Sequence, residues 1–311
     1  MEKPLITIGI TCFKEGDWLL ECWESVLKQT DSRWTAVLVM DGTTDTRTTE
    51  IFSALKHPKL LKWASETNRG PYPMRNKAFE LTRTPFHFYL DADDQLGPSA
   101  VADALKAFKL HPNAGFVYTD YQCVGSGEEI IRYAPAVEAL DLVEGHLLPG
   151  ACAYYRTLWE KVGGFAEELA RGNADYDFVL GAYEMDVRGV HDGGVNYHYR
   201  RGQGSSVSNS YGLRYAETHE IMVRRHPRFF KDPARRRRFL ALGYRRGACA
   251  NYSAGNWQRA SALAAQACRN GLWKDPYMIQ IVLRGRVPPA VFAGLRLCWR
   301  LARPPKRVLK I

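Results

Sequence analysis

The first 125 residues alternate short apolar runs with amphipathic stretches, and that alternation leaves few folds open. "LITIGIT" (Leu5 to Thr11), "TAVLVMDG" (Thr35 to Gly42), "LLKWAS" (Leu60 to Ser65) and "FHFYLD" (Phe86 to Asp91) are short runs that read as strands. Between them, "DWLLECWESVLKQT" puts Leu19, Cys22, Trp23, Val26 and Leu27 on one helical face, and "TRTTEIFSALK" is helix-like. In "ETNRGPYPMRNKAFELT", Pro73 suits a helix start. Nearly continuous apolar strands separated by helices are buried on both faces. This predicts an α/β fold with a parallel sheet whose working edge is formed by the carboxyl ends of its strands.

Polar residues collect where that edge should be. Thr11 and Glu15 follow the first strand, Asp41 ends the second, Asn68 and Arg69 follow the third, and Asp91 and Asp93 end the fourth. Any one of them alone is ordinary cap or turn chemistry, and an isolated Asp-x-Asp is more often a solvated loop. Their shared location argues for a site. If the backbone stays extended past Leu90, Asp91 and Asp93 point to the same side, and two such charges need a cation or water between them.

Further along, "AVADALKAFKLHP" reads as a helix, "AGFVYTDYQCV" as a strand, and "GSGEEIIRYAP" continues as a hairpin. "PGACAYYRTLWEKVGGF" mixes aromatic and small residues and could wall a pocket; "GNADYDFVLGAYEM" predicts a helix beginning near Asp175, where a carboxylate suits the helix N-terminus. "VNYHYRRGQGSSVS" has the composition of a mobile basic loop, and the pattern from Tyr211 onward is helical.

The net charge of +10 divides unevenly. Residues 1–200 hold 20 Lys and Arg against 29 Asp and Glu, a balance of −9, whereas residues 201–311 hold 23 against 4, a balance of +19. The two parts therefore do different work, and the basic one fits polyanions, anionic lipid headgroups before nucleic acid. No apolar run is long enough to span a bilayer, and "MEKPLITIGITCF" lacks a leader pattern, which predicts a cytoplasmic chain. Seven cysteines without CxxC spacing fit reduced thiols and argue against a disulfide framework or a zinc site.

Taken in order, "ITIGITCFKEGDWLLECWESVLKQT", "TAVLVMDGTTD", "NRGPYPMRNKA" and "FYLDADD" resemble the glycosyltransferase 2 family, over roughly residues 5–210. The resemblance implies a GT-A fold, Rossmann-like with a mostly parallel central sheet and flanking helices. The expected organisation is a catalytic domain over 1–210, with a nucleotide-binding half at 1–124 and an acceptor-binding half at 125–210, followed by a basic helical C-terminal region at 211–311. It implies inverting, metal-dependent transfer from a nucleotide-diphosphate sugar, a UDP-sugar first, to a hydroxyl of a bacterial surface glycan or lipid-linked saccharide.

Position by position, the resemblance gives Thr11, Glu15, Asp41, Asn68, Gly70, Arg75, Asn76, Asp91 and Arg200 to the donor nucleotide. Asp93 becomes the direct ligand of Mn²⁺ or Mg²⁺, with Asp91 beside the ribose or a metal-bound water and His198 completing the shell. Asp175 becomes the catalytic base, with Asp177 as the alternative. The chain departs from the family pattern at Ile10, Cys12 and Phe13, at Met40, and at Ala174, which stands where a Glu often precedes the catalytic Asp.

In the C-terminal region, "RRGACANYSAGNWQRASALAAQACRNGLWKDP" has the alternation of a helical hairpin and loosely resembles one tetratricopeptide-like unit. The last stretch sets Val291, Phe292, Leu295, Leu297, Trp299 and Leu301 among Arg296, Arg300, Arg303, Lys306, Arg307 and Lys310. That pattern suits either an amphipathic helix on an anionic membrane, placing the protein on the cytoplasmic face of the inner membrane, or a helix packed on the catalytic domain. Two competing functions remain at this point: a non-catalytic scaffold of a glycan-assembly complex, and a polyanion- or nucleic-acid-binding protein.

Overall fold

The computed structural model describes residues 3–125, 127–170, 172–201 and 212–285. The alternation in the sequence becomes β1 (Ile6–Cys12), α1 (Trp18–Leu27), β2 (Trp34–Asp41), α2 (Thr46–Ala54), β3 (Leu60–Ser65), α3 (Pro71–Glu80) and β4 (Phe86–Asp91). β1 pairs in parallel with both β2 and β4, and β2 with β3. Every residue of β1 is buried, as a central strand covered on both faces requires.

The chain continues through β5 (Gln95–Leu96), α4 (Ala100–Leu110), β6 (Phe116–Gly125), β7 (Ile130–Ile131), α5 (Asp141–Glu144), β8 (Ala153–Tyr155), α6 (Arg156–Val162), α7 (Ala174–Glu184) and β9 (Gly189–Arg201). Among the described residues these strands form one sheet in the order β3-β2-β1-β4-β8-β6-β9-β5, with β7 paired to β6. Antiparallel β8 bridges the parallel β1–β4 group to β6, so the sheet is mostly parallel rather than wholly so.

β9 corrects an expectation. The segment "VNYHYRR" was expected to be part of a loop, yet it lies in a strand running parallel to β6 from Gly189 to Arg201. Backbone pairing with a strand some seventy residues away outweighs local composition. The rest of that expected loop, residues 202–208, lies outside the described residues.

Helix starts are marked by local chemistry. Asp45 caps α2 by accepting the Thr48 amide, and Gly70, at φ 95°, turns the chain into Pro71 at the start of α3. A side chain at Gly70 would meet the Ala170 carbonyl oxygen at 2.9 Å.

The chain forms two compact units, Met1–Asn209 with Arg225–Phe230, and Ser210–Arg224 with Lys231–Ile311. In the second unit, α8 (Tyr215–Arg225) contributes most of its length, followed by α9 (Pro233–Ser253), α10 (Trp257–Ala267) and α11 (Pro276–Arg284). Its core joins Tyr244 and Ala248 of α9, Ala260, Ala264 and Ala267 of α10, and Met278 and Ile281 of α11. The alanine faces let the helices approach closely, and Asp275 caps α11 through the Tyr277 and Met278 amides. The amphipathic stretch from Val291 onward lies outside the described residues, and none of the described helices is long and apolar enough to cross a membrane. The six described cysteines are free.

Candidate active site at the sheet edge

The register of β1 against β4 sets Thr11 opposite Asp91. Thr11 Oγ1 donates to Asp91 Oδ1 at 3.0 Å, and Nη2 of Arg75, from α3, lies 2.9 and 2.7 Å from the two Asp91 oxygens. The guanidinium sits over Tyr89, 4.0 Å from the ring centroid, with Tyr72 4.7 Å away, and Arg75 is only 6% exposed. A guanidinium so desolvated depends on its carboxylate partner, and the aromatic faces add cation–π attraction.

The backbone does not stay extended after Asp91. The Asp94 amide donates to the Asp91 carbonyl at 3.0 Å, closing a turn over residues 91–94, so the expected same-side geometry of Asp91 and Asp93 is not what joins them. A turn satisfies backbone groups at the sheet edge that extended chain would leave unpaired. Asp93 is nevertheless pushed up to about 6, first by burial and then by the Asp91 charge, while Arg200 and Arg75 act the other way. Glu15 is pushed up to about 7 by burial, with Asp93 and Asp91 adding to it and the Phe13 amide, which donates to it, opposing. Three carboxylates thus share one edge.

Asp94 was not singled out from the sequence, although it is the third acid of "LDADD". It is 2% exposed, accepts the Tyr197 hydroxyl at 2.7 Å and the Arg200 amide at 2.8 Å, and so ties β9 to the turn. Burial pushes its carboxyl well up, and Asp93 and Asp91 add to that. Arg200 donates from Nε to the Asp93 carbonyl at 2.8 Å and pairs through Nη2 with Glu21. Its guanidinium therefore fixes the turn. Nothing before residue 190 hints at these partners; the alternation Val195, Tyr197, Tyr199 was the available signal.

Several expected donor-binding residues have their polar atoms engaged by the protein itself. Asp41 accepts the Asn68 side-chain amide at 3.0 Å and the Arg69 and Gly70 backbone amides at 2.7 and 2.8 Å, so it shapes the loop after β3. Asn76 turns away from the edge. Its Nδ2 donates to the Phe165 carbonyl at 2.8 Å, and its Oδ1 accepts from the Phe165 amide and from Trp159 Nε1. Asn76 thereby pins α3 to the turn after α6, which corrects its expected contact with the nucleotide.

Asp175 lies in the first turn of α7, which Asn173 enters at φ 68°. Its Oδ1 accepts the Tyr176 amide at 2.8 Å, and Oδ2 is 4.0 Å from His146 Nδ1. A Cβ at Gly150 would lie 2.9 Å from Asp175 Oδ2 and 3.0 Å from the Tyr89 hydroxyl, so the absence of a side chain there keeps space beside both. Tyr89, with Arg75 over its ring, feels the charges of Arg75, Asp91 and Asp175. Asp177, the alternative base, is wholly buried and bound by Arg225 and His226, so it is not placed to take a proton from a substrate.

The donor set suits a hard divalent cation in part. Among the described residues no hydrogen bond from another residue reaches the Asp93 carboxylate; burial raises its proton affinity most and the Asp91 charge adds to that, and Mn²⁺ or Mg²⁺ at its oxygens would offset the charge. Asp91 is already engaged by Thr11 and Arg75. His198, the third expected ligand, is partly buried on β9 two residues before the Arg200 that reaches the Asp93 carbonyl, and no group of three His, Cys, Asp or Glu side chains converges on a metal position among the described residues. Burial lowers the His198 pKa.

The sequence profile described as Glycosyl transferase family 2 matches residues 7–162. Similar proteins include chondroitin synthase of Escherichia coli, 27% identical over 190 residues, covering 58% of this chain and 27% of the relative. Teichoic acid poly(glycerol phosphate) polymerase of Staphylococcus epidermidis is 30% identical over 105 residues, 33% of this chain and 15% of the relative. This chain thus spans about a quarter or less of the curated relatives it matches. Among solved structures, S. aureus TarS 1-349 in complex with UDP-GlcNAc has a TM-score of 0.73 at 17% identity, over 98% of this chain and 93% of that one. Mannosyltransferase PcManGT from Pyrobaculum calidifontis, in complex with GDP-Man and Mn²⁺, has a TM-score of 0.56 at 20% identity, over 96% and 88%. These likenesses carry the GT-A fold expected from the sequence. With a family match across half its length, over the segment that carries the Thr11, Arg75 and Asp91 cluster, the chain belongs to glycosyl transferase family 2.

Proposed function

We propose that this protein moves a sugar, with inversion, from a nucleotide-diphosphate donor to a hydroxyl of a surface glycan or lipid-linked saccharide. The observation that carries this reading is the carboxylate edge at the ends of β1 and β4, where Asp93 and Glu15 sit beside an Asp91 held by Arg75. Binding of UDP-GlcNAc and GDP-Man by structural neighbours supports the donor class, and relatives named for chondroitin and teichoic acid synthesis support the acceptor class.

The donor's diphosphate lies at the Asp93 edge, with Thr11 and the loop shaped by Asp41 beside the nucleoside. Asp93 would hold Mn²⁺ or Mg²⁺, which would offset charge on the departing diphosphate. Asp175 Oδ2 takes the proton of the acceptor hydroxyl as the hydroxyl oxygen bonds to the anomeric carbon, and the bond to the diphosphate breaks with its electron pair leaving on the diphosphate oxygen. A base on α7 and a leaving-group site at β4 come from separate segments, as displacement from opposite sides of one carbon demands. The basic C-terminal region brings the protein to an anionic membrane where a lipid-linked acceptor resides.

Replacing Asp175 with Asn tests the assignment. Transfer is expected to fall by about 10²–10⁴-fold with nucleotide affinity retained, the usual range for losing a general base. Unchanged transfer sinks Asp175 as the base. Nucleotide binding without any turnover in the native chain moves the scaffold reading forward.

A further inference from the structure

The helix that carries Asp175 is gripped along its opposite side by a segment from far along the chain. Residues Arg225–Phe230 belong to the first compact unit, although the chain on both sides of them belongs to the second. Asp177 is wholly buried in α7, and Arg225 Nε lies 3.1 and 3.0 Å from its two oxygens, with His226 Nε2 2.8 Å from Oδ1. At the other end of α7, Glu184 Oε1 accepts the Arg228 and Phe229 amides at 2.6 and 3.0 Å, and His226 Nδ1 lies 3.6 Å from Glu184 Oε2.

Asp177, Gly181 and Glu184 are spaced four and three apart, which makes them one stripe on the helix. Gly181 fits this use: a Cβ there would lie 3.2 Å from His226 Cε1 and 3.0 Å from Val162 Cγ1, so the small residue lets the imidazole lie close against α7. Asp175 precedes Asp177 by two residues, about 200° around the helix, and so faces away from the stripe. A buried carboxylate without its partners is strongly unfavourable, which makes the grip obligatory for this packing of α7.

We infer that Arg225–Phe230 is a strap that positions Asp175, acting through the Asp177 and Glu184 anchors, so that the catalytic unit is incomplete without a segment contributed from the C-terminal part of the chain. This rests on the reading of Asp175 as the base for its kinetic consequence, but the strap itself stands on the contacts. Arg225 and His226 are positioning residues in this account. They approach α7 from the side opposite the base.

The test compares full-length native protein with His226→Leu, His226→Gln and Arg225→Met. Gln presents an amide donor where His226 Nε2 stands, and Arg225 is partly exposed, so these two variants keep the question open if His226→Leu fails to fold. The first readout is amide exchange of residues 174–184. It is expected to rise in Arg225→Met and His226→Leu and to stay near native in His226→Gln. The second is transfer kinetics: kcat is expected to fall about tenfold or more in the first two, since misplacing a reacting group by an ångström costs up to about a hundredfold, with donor KM little changed and His226→Gln near native.

Unchanged exchange in Arg225→Met overturns the strap. Raised exchange with native kcat overturns its role in positioning the base. Absence of transfer in the native chain instead defeats the proposed function, and the exchange experiment still decides whether the strap exists.

Discussion

At the scale of single residues, the polar side chains divide by where their hydrogen bonds go. Asp91 and Asp93 were legible as a candidate site because they end an apolar run, but their partners were not. Arg75 lies 16 residues before Asp91, and only the pairing of β1 with β4 and the placing of α3 bring the three together. Asn76, next to Arg75 in sequence, points the other way because adjacent residues on a helix diverge by about 100°.

His87 shows the same limit in the core. It is 1% exposed, stacks 3.7 Å from Phe79, has no hydrogen-bond partner for either ring nitrogen among the described residues, and fits only because Gly9 offers no Cβ. Burial, with Arg156 adding to it, pushes its pKa down to about 3. The unfolded chain, with an ordinary value near 6.5, binds more protons between pH 3 and 6.5, so stability is full above that window and is lost as pH falls through it. By pH 5 this loss is about 2 kcal/mol from His87 alone. His87→Phe is expected to flatten the acid limb of stability measured by urea unfolding between pH 7 and 4.5. An unchanged acid limb contradicts the assignment.

At the scale of elements, the loop between β3 and α3 follows from one carboxylate and two glycines. Asp41 holds the amides of Arg69 and Gly70. Gly42, at φ +54°, allows the close approach, because a Cβ there would lie 2.2 Å from the Thr67 carbonyl carbon. The sequence flagged Asp41 by its place at a strand end, yet the partners depend on a loop geometry that no local pattern encodes. Gly42→Ala combines a collision with backbone and an unfavourable φ, and it is expected to cost about 1–3 kcal/mol, read as a lowered thermal midpoint. A midpoint equal to native would mean that the loop adopts another path. For α7, Asp177→Ala removes the anion shared by Arg225 and His226 and leaves them Glu168 and Glu184 at 3.8 and 3.6 Å, and a loss of about 1–3 kcal/mol is expected in chemical denaturation. The helix was legible as far as its start near Asp175, whereas the strap from Arg225 was not, because it returns from 48 residues away with no motif of its own.

At the scale of the whole molecule, the alternation of strands and helices was sufficient to expect the parallel core and the edge that carries the site. The β8 bridge and the long β9 were not legible, since their partners are distant and their own composition is mixed. The division of charge has a consequence of its own. Residues 286–311 hold seven basic and no acidic side chains, each contributing about 1 kcal/mol near an anionic surface. Removing them is expected to abolish co-sedimentation with phosphatidylserine vesicles at low salt while leaving nucleotide affinity unchanged. Retained sedimentation would assign membrane contact to another surface.

The central claim is that the turn after β4 binds a nucleotide diphosphate with the help of a divalent cation. Calorimetric titration of a panel of nucleoside diphosphates and their sugars, with and without Mn²⁺, into the native chain and into Asp93→Ala tests it most directly. Binding of one nucleoside diphosphate that needs Mn²⁺ and disappears in Asp93→Ala is the expected result. Binding indifferent to both the cation and Asp93, or no binding by any nucleotide, would contradict it and leave the carboxylate edge as a structural turn.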